Sequence, residues 1–121
     1  MPWEFRTDVP IYTQLIAQIQ QQIVTGQLMP GDRLPSVRDL AAQAGVNPNT
    51  MQRALTELER LGLVRSQRTS GRFVTEDEAV IRALKEDLAR TQIRDFLAGM
   101  AQLGFPLEEI VSLIQKEGEN L

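Results

Sequence analysis

The sequence predicts a mainly α fold carrying one small β-hairpin: three helices, the hairpin, then a two-helix tail. Three observations predict it. Apolar residues recur at helical spacing in successive segments bounded by Gly, Pro or capping residues. One pair of short apolar runs brackets a Gly-containing polar loop within residues 63–74. Charge also changes sign along the chain. Residues 1–74 hold eight arginines against six acidic residues, a net of +2, and residues 75–121 hold five basic against ten acidic residues, a net of −5. This asymmetry suggests two modules, 1–74 and 75–121.

The first helix is expected over residues 10–25. Tyr12, Leu15, Ile16, Ile19 and Ile23 make its apolar side, with Gln14, Gln18, Gln21 and Gln22 opposite, between Pro10 at the entry and Gly26 at the exit. Pro30-Gly31 and Pro35 punctuate residues 27–35, which predicts a loop with a short strand at Arg33-Leu34. Ser36 opens the second helix. With Asp39 three residues on, it resembles a capping box in which Asp stands for Glu. Val37, Leu40, Ala41 and Ala44 form that helix's apolar face, and Gly45 ends it. Asn47 then caps a third helix with Pro48 at its first position. This helix is expected to stop at Gly62. Ala41 and Gly45 are small enough to let the two helices cross closely. Leu63–Ser66 and Arg72–Val74 read as strands around a tip at 67–71. Glu76, Asp77 and Glu78 place negative charge at the positive end of a long helix, which favours helix-start chemistry over a cation site. Gly104 and Pro106 break that helix, and a last one follows at 107–117, with Leu107, Ile110, Val111 and Ile114 on one face.

Composition narrows the chemistry. The chain of 121 residues has no cysteine and no histidine. That excludes disulfides, Cys/His zinc sites, iron–sulfur clusters and nucleophile–histidine pairs, and removes the usual general base near neutral pH. No catalytic residue, metal or cofactor is expected, and no enzyme. No apolar run approaches the roughly 20 residues that span a bilayer. Met1–Arg6 lacks the basic start and apolar core of a signal peptide. The expectation is a soluble, cytoplasmic protein with no membrane partner. The net charge of −3 argues against nucleic acid, but the window 33–74 holds seven arginines against Asp39, Glu57 and Glu59, a net of +4.

Three helices followed by a hairpin, two of the helices joined by a tight turn, make a winged helix-turn-helix. In the third helix Met51, Ala54, Leu55 and Leu58 form a core stripe. Asn49, Gln52, Arg53, Thr56 and Arg60 form a second stripe of amides, hydroxyl and guanidinium groups. Amide and guanidinium side chains pair with adenine and guanine edges in the major groove. A plain solvated face would mix Glu with Lys. Arg68 and Arg72 flank the small residues of the hairpin tip, as a wing reaching phosphate or the minor groove would. The alternative is a winged-helix protein-interaction module whose arginines are only solvated.

The stretch from Pro10 to Val74, above all PGDRLPSVRDLA and NPNTMQRAL, resembles the DNA-binding domain of the GntR family of bacterial transcriptional regulators. The length of the tail and its GFPLEEI segment resemble the short YtrA-like branch. The resemblance implies DNA contacts at Arg38, with Ser36 supporting a phosphate, and at Asn47, Asn49, Thr50 and Gln52. Arg53 fits phosphate as well as a base. In the wing Gly71 is in place, whereas Thr69 stands where Gly is common and Arg72 where Thr or Ser is common. Arg68, Gly71 and Arg72 complete the expected DNA-binding set. The branch also implies a two-helix dimerisation tail, and Ile81, Leu84 and Leu88 with Ile93, Phe96, Met100 and Leu103 recur at helical spacing there. A homodimeric repressor reading a palindrome, with its own operon and transporter genes among its targets, follows from the resemblance. The tail is too short to enclose a metabolite alone, so a small-molecule effector has no support beyond a possible dimer cleft.

Overall fold

The computed structural model describes residues 3–121. Its elements in chain order are α1 (Ile11–Val24), α2 (Val37–Ala44), α3 (Pro48–Arg60), β1 (Val64–Gln67), β2 (Gly71–Val74), α4 (Glu78–Gln102) and α5 (Leu107–Glu119). This is the mainly helical fold with a two-stranded hairpin that the sequence predicts.

The periodic stripes meet in one core. Leu15, Ile19 and Ile23 from α1, Leu40, Ala41 and Ala44 from α2, and Met51, Ala54, Leu55 and Leu58 from α3 are buried together. Leu34, Leu63, Val64 and Val74 close this core from the hairpin side. Burying a side chain of this size contributes about 1.5–3 kcal/mol relative to leaving it exposed. The caps form as the residue types require. Ser36 Oγ accepts from the Asp39 amide at 3.1 Å and Asn47 Oδ1 from the Asn49 amide at 2.7 Å. These bonds satisfy helix-start donors that have no intrahelical partner.

Gly45 corrects one expectation. A Cβ there would meet nothing within 4 Å, so the position does not serve close helix crossing. It takes φ of +70° and ends α2 in the left-handed region, which a side chain would strain.

β1 and β2 pair antiparallel with Val64 opposite Val74, Arg65 opposite Phe73, Ser66 opposite Arg72 and Gln67 opposite Gly71. The short strand expected at Arg33-Leu34 is present as a bridge from Arg33 to Phe73. It is flanked by backbone bonds from the Leu34 amide to the Arg72 carbonyl at 2.9 Å and from the Val74 amide to the Asp32 carbonyl at 2.8 Å. The wing is thus three segments wide.

The segment before α1 is also ordered by specific contacts. Trp3 and Phe5 pack against the core. The Gln14 amide accepts from the Arg6 backbone N–H at 2.7 Å and donates to the Arg6 and Val9 carbonyls, while Gln18 donates to the Glu4 carbonyl at 2.7 Å.

The chain forms two compact units that divide after Lys85, the second being Glu86–Leu121. The division falls within α4, where Val80, Ile81 and Leu84 pack against the core of the first unit. In the second unit Ile110 is buried, whereas Ile93, Phe96, Leu103, Leu107, Val111 and Ile114 are exposed.

Candidate nucleic-acid interface

The candidate surface is built from the start of α2, one face of α3 and the wing. Capping fixes the start of each helix, so the side chains just inside it have defined directions. Arg38 projects from the first turn of α2. It is exposed and has no hydrogen-bond or ion-pair partner among the described residues.

On α3 the expected polar stripe is exposed along Asn49, Gln52, Arg53, Thr56 and Arg60, with Thr50 half-buried. Its members are not equally free. Gln52 Nε2 donates to Thr56 Oγ1 at 3.3 Å, and Thr56 Oγ1 donates to the Gln52 carbonyl at 2.9 Å. The Arg53 guanidinium lies over the Tyr12 ring with its carbon 3.7 Å from the centroid. This cation–π contact fixes the arginine without neutralising it. Arg60 is turned to Glu57, its Nε 2.9 Å from Oε2. The Arg60 hydrogen bond holds the Glu57 carboxyl below its ordinary range, and the same bond raises the Arg60 guanidinium. The stripe read from the sequence therefore ends before Arg60.

The wing departs further from expectation. Arg68 is exposed at the tip, without a partner among the described residues. Arg72, expected to reach DNA beside it, points to the other face of the hairpin. Its Nε donates to Glu59 Oε1 at 2.7 Å, and Ser66 Oγ donates to the same oxygen. Burial opposes the charged form of Glu59, but the bonds from Ser66 and Arg72 outweigh it and lower the carboxyl below its ordinary range. The cause is register: Ser66 and Arg72 are directly opposed, so both point to the side where α3 ends.

Gly71 opens β2 with φ of +102°. A Cβ at this position would lie 3.3 Å from Arg33 Nε. The outer face of the wing thus carries Arg33 along the Gly71 backbone. Arg65 lies on that face too, its guanidinium carbon 5.2 Å from the Phe73 centroid and its head 3.7 Å from the Glu76 carboxylate. Tyr12, Arg33 and Glu59 were not among the sequence candidates. The strand at Arg33-Leu34 was visible, but not the partner it pairs with.

The expected dimerisation set also divides. Ile81 and Leu84 are half-buried against this chain's own core. Leu88 and Met100 are half-buried, while Ile93, Phe96 and Leu103 are 55, 46 and 71% exposed. No group of three or more acidic residues able to hold a metal occurs among the described residues. No single described helix is long and apolar enough to cross a membrane.

Comparison with known proteins identifies the family and the fold. The family model for bacterial regulatory proteins of the gntR family matches residues 11–74. Two Bacillus subtilis proteins are similar over nearly the whole chain. The HTH-type transcriptional regulator YhcF is 42% identical, covering 93% of each chain. The transcriptional repressor YtrA is 33% identical, covering 92% of this chain and 86% of its own. A solved GntR family transcriptional regulator from Listeria monocytogenes superposes with a TM-score of 0.85 at 39% identity, covering 93% of this chain and 98% of its own. The AraR DNA-binding domain, solved in complex with operator ORX1, gives a TM-score of 0.57 at 28% identity, covering 62% of this chain and 96% of its own.

Proposed function

The chain belongs to the gntR family of bacterial regulatory proteins, in its YtrA-like branch, and from that premise we propose that it is a homodimeric repressor that reads a palindromic operator. Members of the family are DNA-binding transcription regulators rather than enzymes. The observation that carries the reading is the face shared by α2 and α3. Arg38 is exposed and unpaired in the first turn of α2, Asn49 and Gln52 are exposed on α3 with Thr50 half-buried, and Ser36 and Asn47 are exposed at the helix starts. Arg38 and Gln52 reach base edges, Ser36, Asn47 and Arg53 position the helices on phosphate, and Arg68 and Gly71 bring the wing to the adjacent groove.

Dimerisation is supported by the exposed apolar side chains of α4 and α5. A second copy would cover them and pair two recognition helices about one DNA turn apart. Repression is supported by the name of the relative YtrA. Control of its own operon and of transporter genes is the further expectation of the branch, and a DNA-binding role places the protein in the cytoplasm.

The test is selection of duplexes from a random pool, followed by anisotropy and sizing of the complex. The expected outcome is an inverted repeat bound by two protomers. Arg38→Ala and Gln52→Ala should each weaken binding by about 1–3 kcal/mol. Selection of no common sequence, or both variants binding like wild type, would overturn the assignment.

A further inference from the structure

The wing presents its cations in an unusual way. Alternation along β2 puts Phe73 and Gly71 on one face and Arg72 on the other. Arg72 is withdrawn to Glu59. The bridge from Arg33 to Phe73 and the pairing of Arg65 with Phe73 line up Arg65, Phe73 and Arg33 across three segments of the opposite, outer face. Arg33 is exposed, and its guanidinium runs along the Gly71 backbone, where the missing Cβ leaves it room. The neighbouring carboxylates are engaged elsewhere. Asp32 accepts from the Met29 amide at 2.8 Å, and Glu76 lies over Gly31 and toward Arg65. Arg33 makes no ion pair among the described residues. It also stands three residues before the Ser36 cap and five before Arg38, so one short segment joins the wing to the start of α2.

We infer that Arg33 is a DNA-contacting residue, binding a backbone phosphate from the outer face of the wing beside Gly71, while Arg72 is a positioning residue that ties the wing to α3. This rests on the DNA-binding reading above. A guanidinium held along a glycine backbone presents its remaining donors outward, and a phosphate accepts from such a fork. The contact is sequence-independent, so it is read on any duplex.

The experiment uses the full chain and a labelled mixed-sequence duplex, titrated by anisotropy between about 50 and 200 mM salt. Arg33→Gln should bind about tenfold more weakly at low salt, as expected for a lost charge-assisted bond. Its plot of log affinity against log salt should be shallower by about 0.9 per lost contact. Arg33→Lys should keep the wild-type slope. Arg72→Gln should also keep it, whatever its affinity. Thermal melts of the same samples accompany the titrations, and if Arg33→Gln is less stable, the comparison with Arg33→Lys decides. Wild-type affinity and slope in Arg33→Gln would overturn the assignment, as would Arg33→Lys with the slope of Arg33→Gln. Wild-type protein that binds no duplex in a salt-dependent way would overturn the DNA-binding reading, and the Arg33 contact with it.

Discussion

The link between Glu59 and Arg72 can be measured as a coupling energy. Arg72 Nε lies 2.7 Å from Glu59 Oε1, and the two side chains are 22 and 30% exposed. Solvent-exposed ion pairs contribute about 0–1 kcal/mol, and hydrogen bonds to charged groups about 1.5–3 kcal/mol. A pair this sheltered, with Ser66 on the same oxygen, falls between those limits, at about 1–1.5 kcal/mol. The perturbation is the cycle Glu59→Gln, Arg72→Gln and both together, unfolded in urea at neutral pH and one protein concentration. The double variant should be more stable than the sum of the single losses by that amount. Acid supplies the sign. The Glu59 carboxyl is lowered in the folded state, so its stabilisation is present above the unfolded glutamate value of about 4.3 and is lost as pH falls through the lower folded value. The coupling should therefore weaken progressively as the solution is acidified below the ordinary glutamate range. A coupling under about 0.3 kcal/mol at neutral pH, or one that grows as the solution is acidified, would refute the reasoning.

Two other substitutions bear on the tail and the turn. Replacing the exposed Phe96 and the half-buried Met100 together by Asp places two charges on α4 and should convert the proposed dimer to a monomer on sizing columns; a persistent dimer would locate the interface elsewhere. Gly45→Ala should destabilise the first unit by about 1 kcal/mol through its left-handed φ of +70°, although nothing is near enough to clash; an unchanged melting temperature would show that the turn adjusts freely.

What the sequence made legible was local. Ser36 and Asn47 announce their helices because a cap acts within two or three residues. The stripes of α1 and α3 announce the core because helical spacing alone selects one face. The remainder depends on residues far apart in the chain. Arg72 meets Glu59 across thirteen positions, and its direction follows from hairpin register rather than from residue type. Arg33 became a wing residue only once its strand paired with β2. Arg53 and Arg60 stand on one stripe, yet Tyr12 holds the first and Glu57 neutralises the second. Ile81 and Leu84 carry the same periodicity as the exposed tail residues, and periodicity does not say which neighbour buries them. Trp3 and Phe5 lie in a segment with no period at all.

That N-terminal segment also gives the molecule a built-in optical reporter. Trp3 is the chain's only tryptophan, and its ring stacks near Phe5 with centroids 6.4 Å apart while packing on the core of the first unit. The second unit carries no tryptophan or tyrosine. Emission excited at the tryptophan band therefore follows the core of the first unit and is blind to fraying of the tail. Far-ultraviolet dichroism follows the helices of both units. A gap between the two melting curves would resolve the units separately, with no label attached.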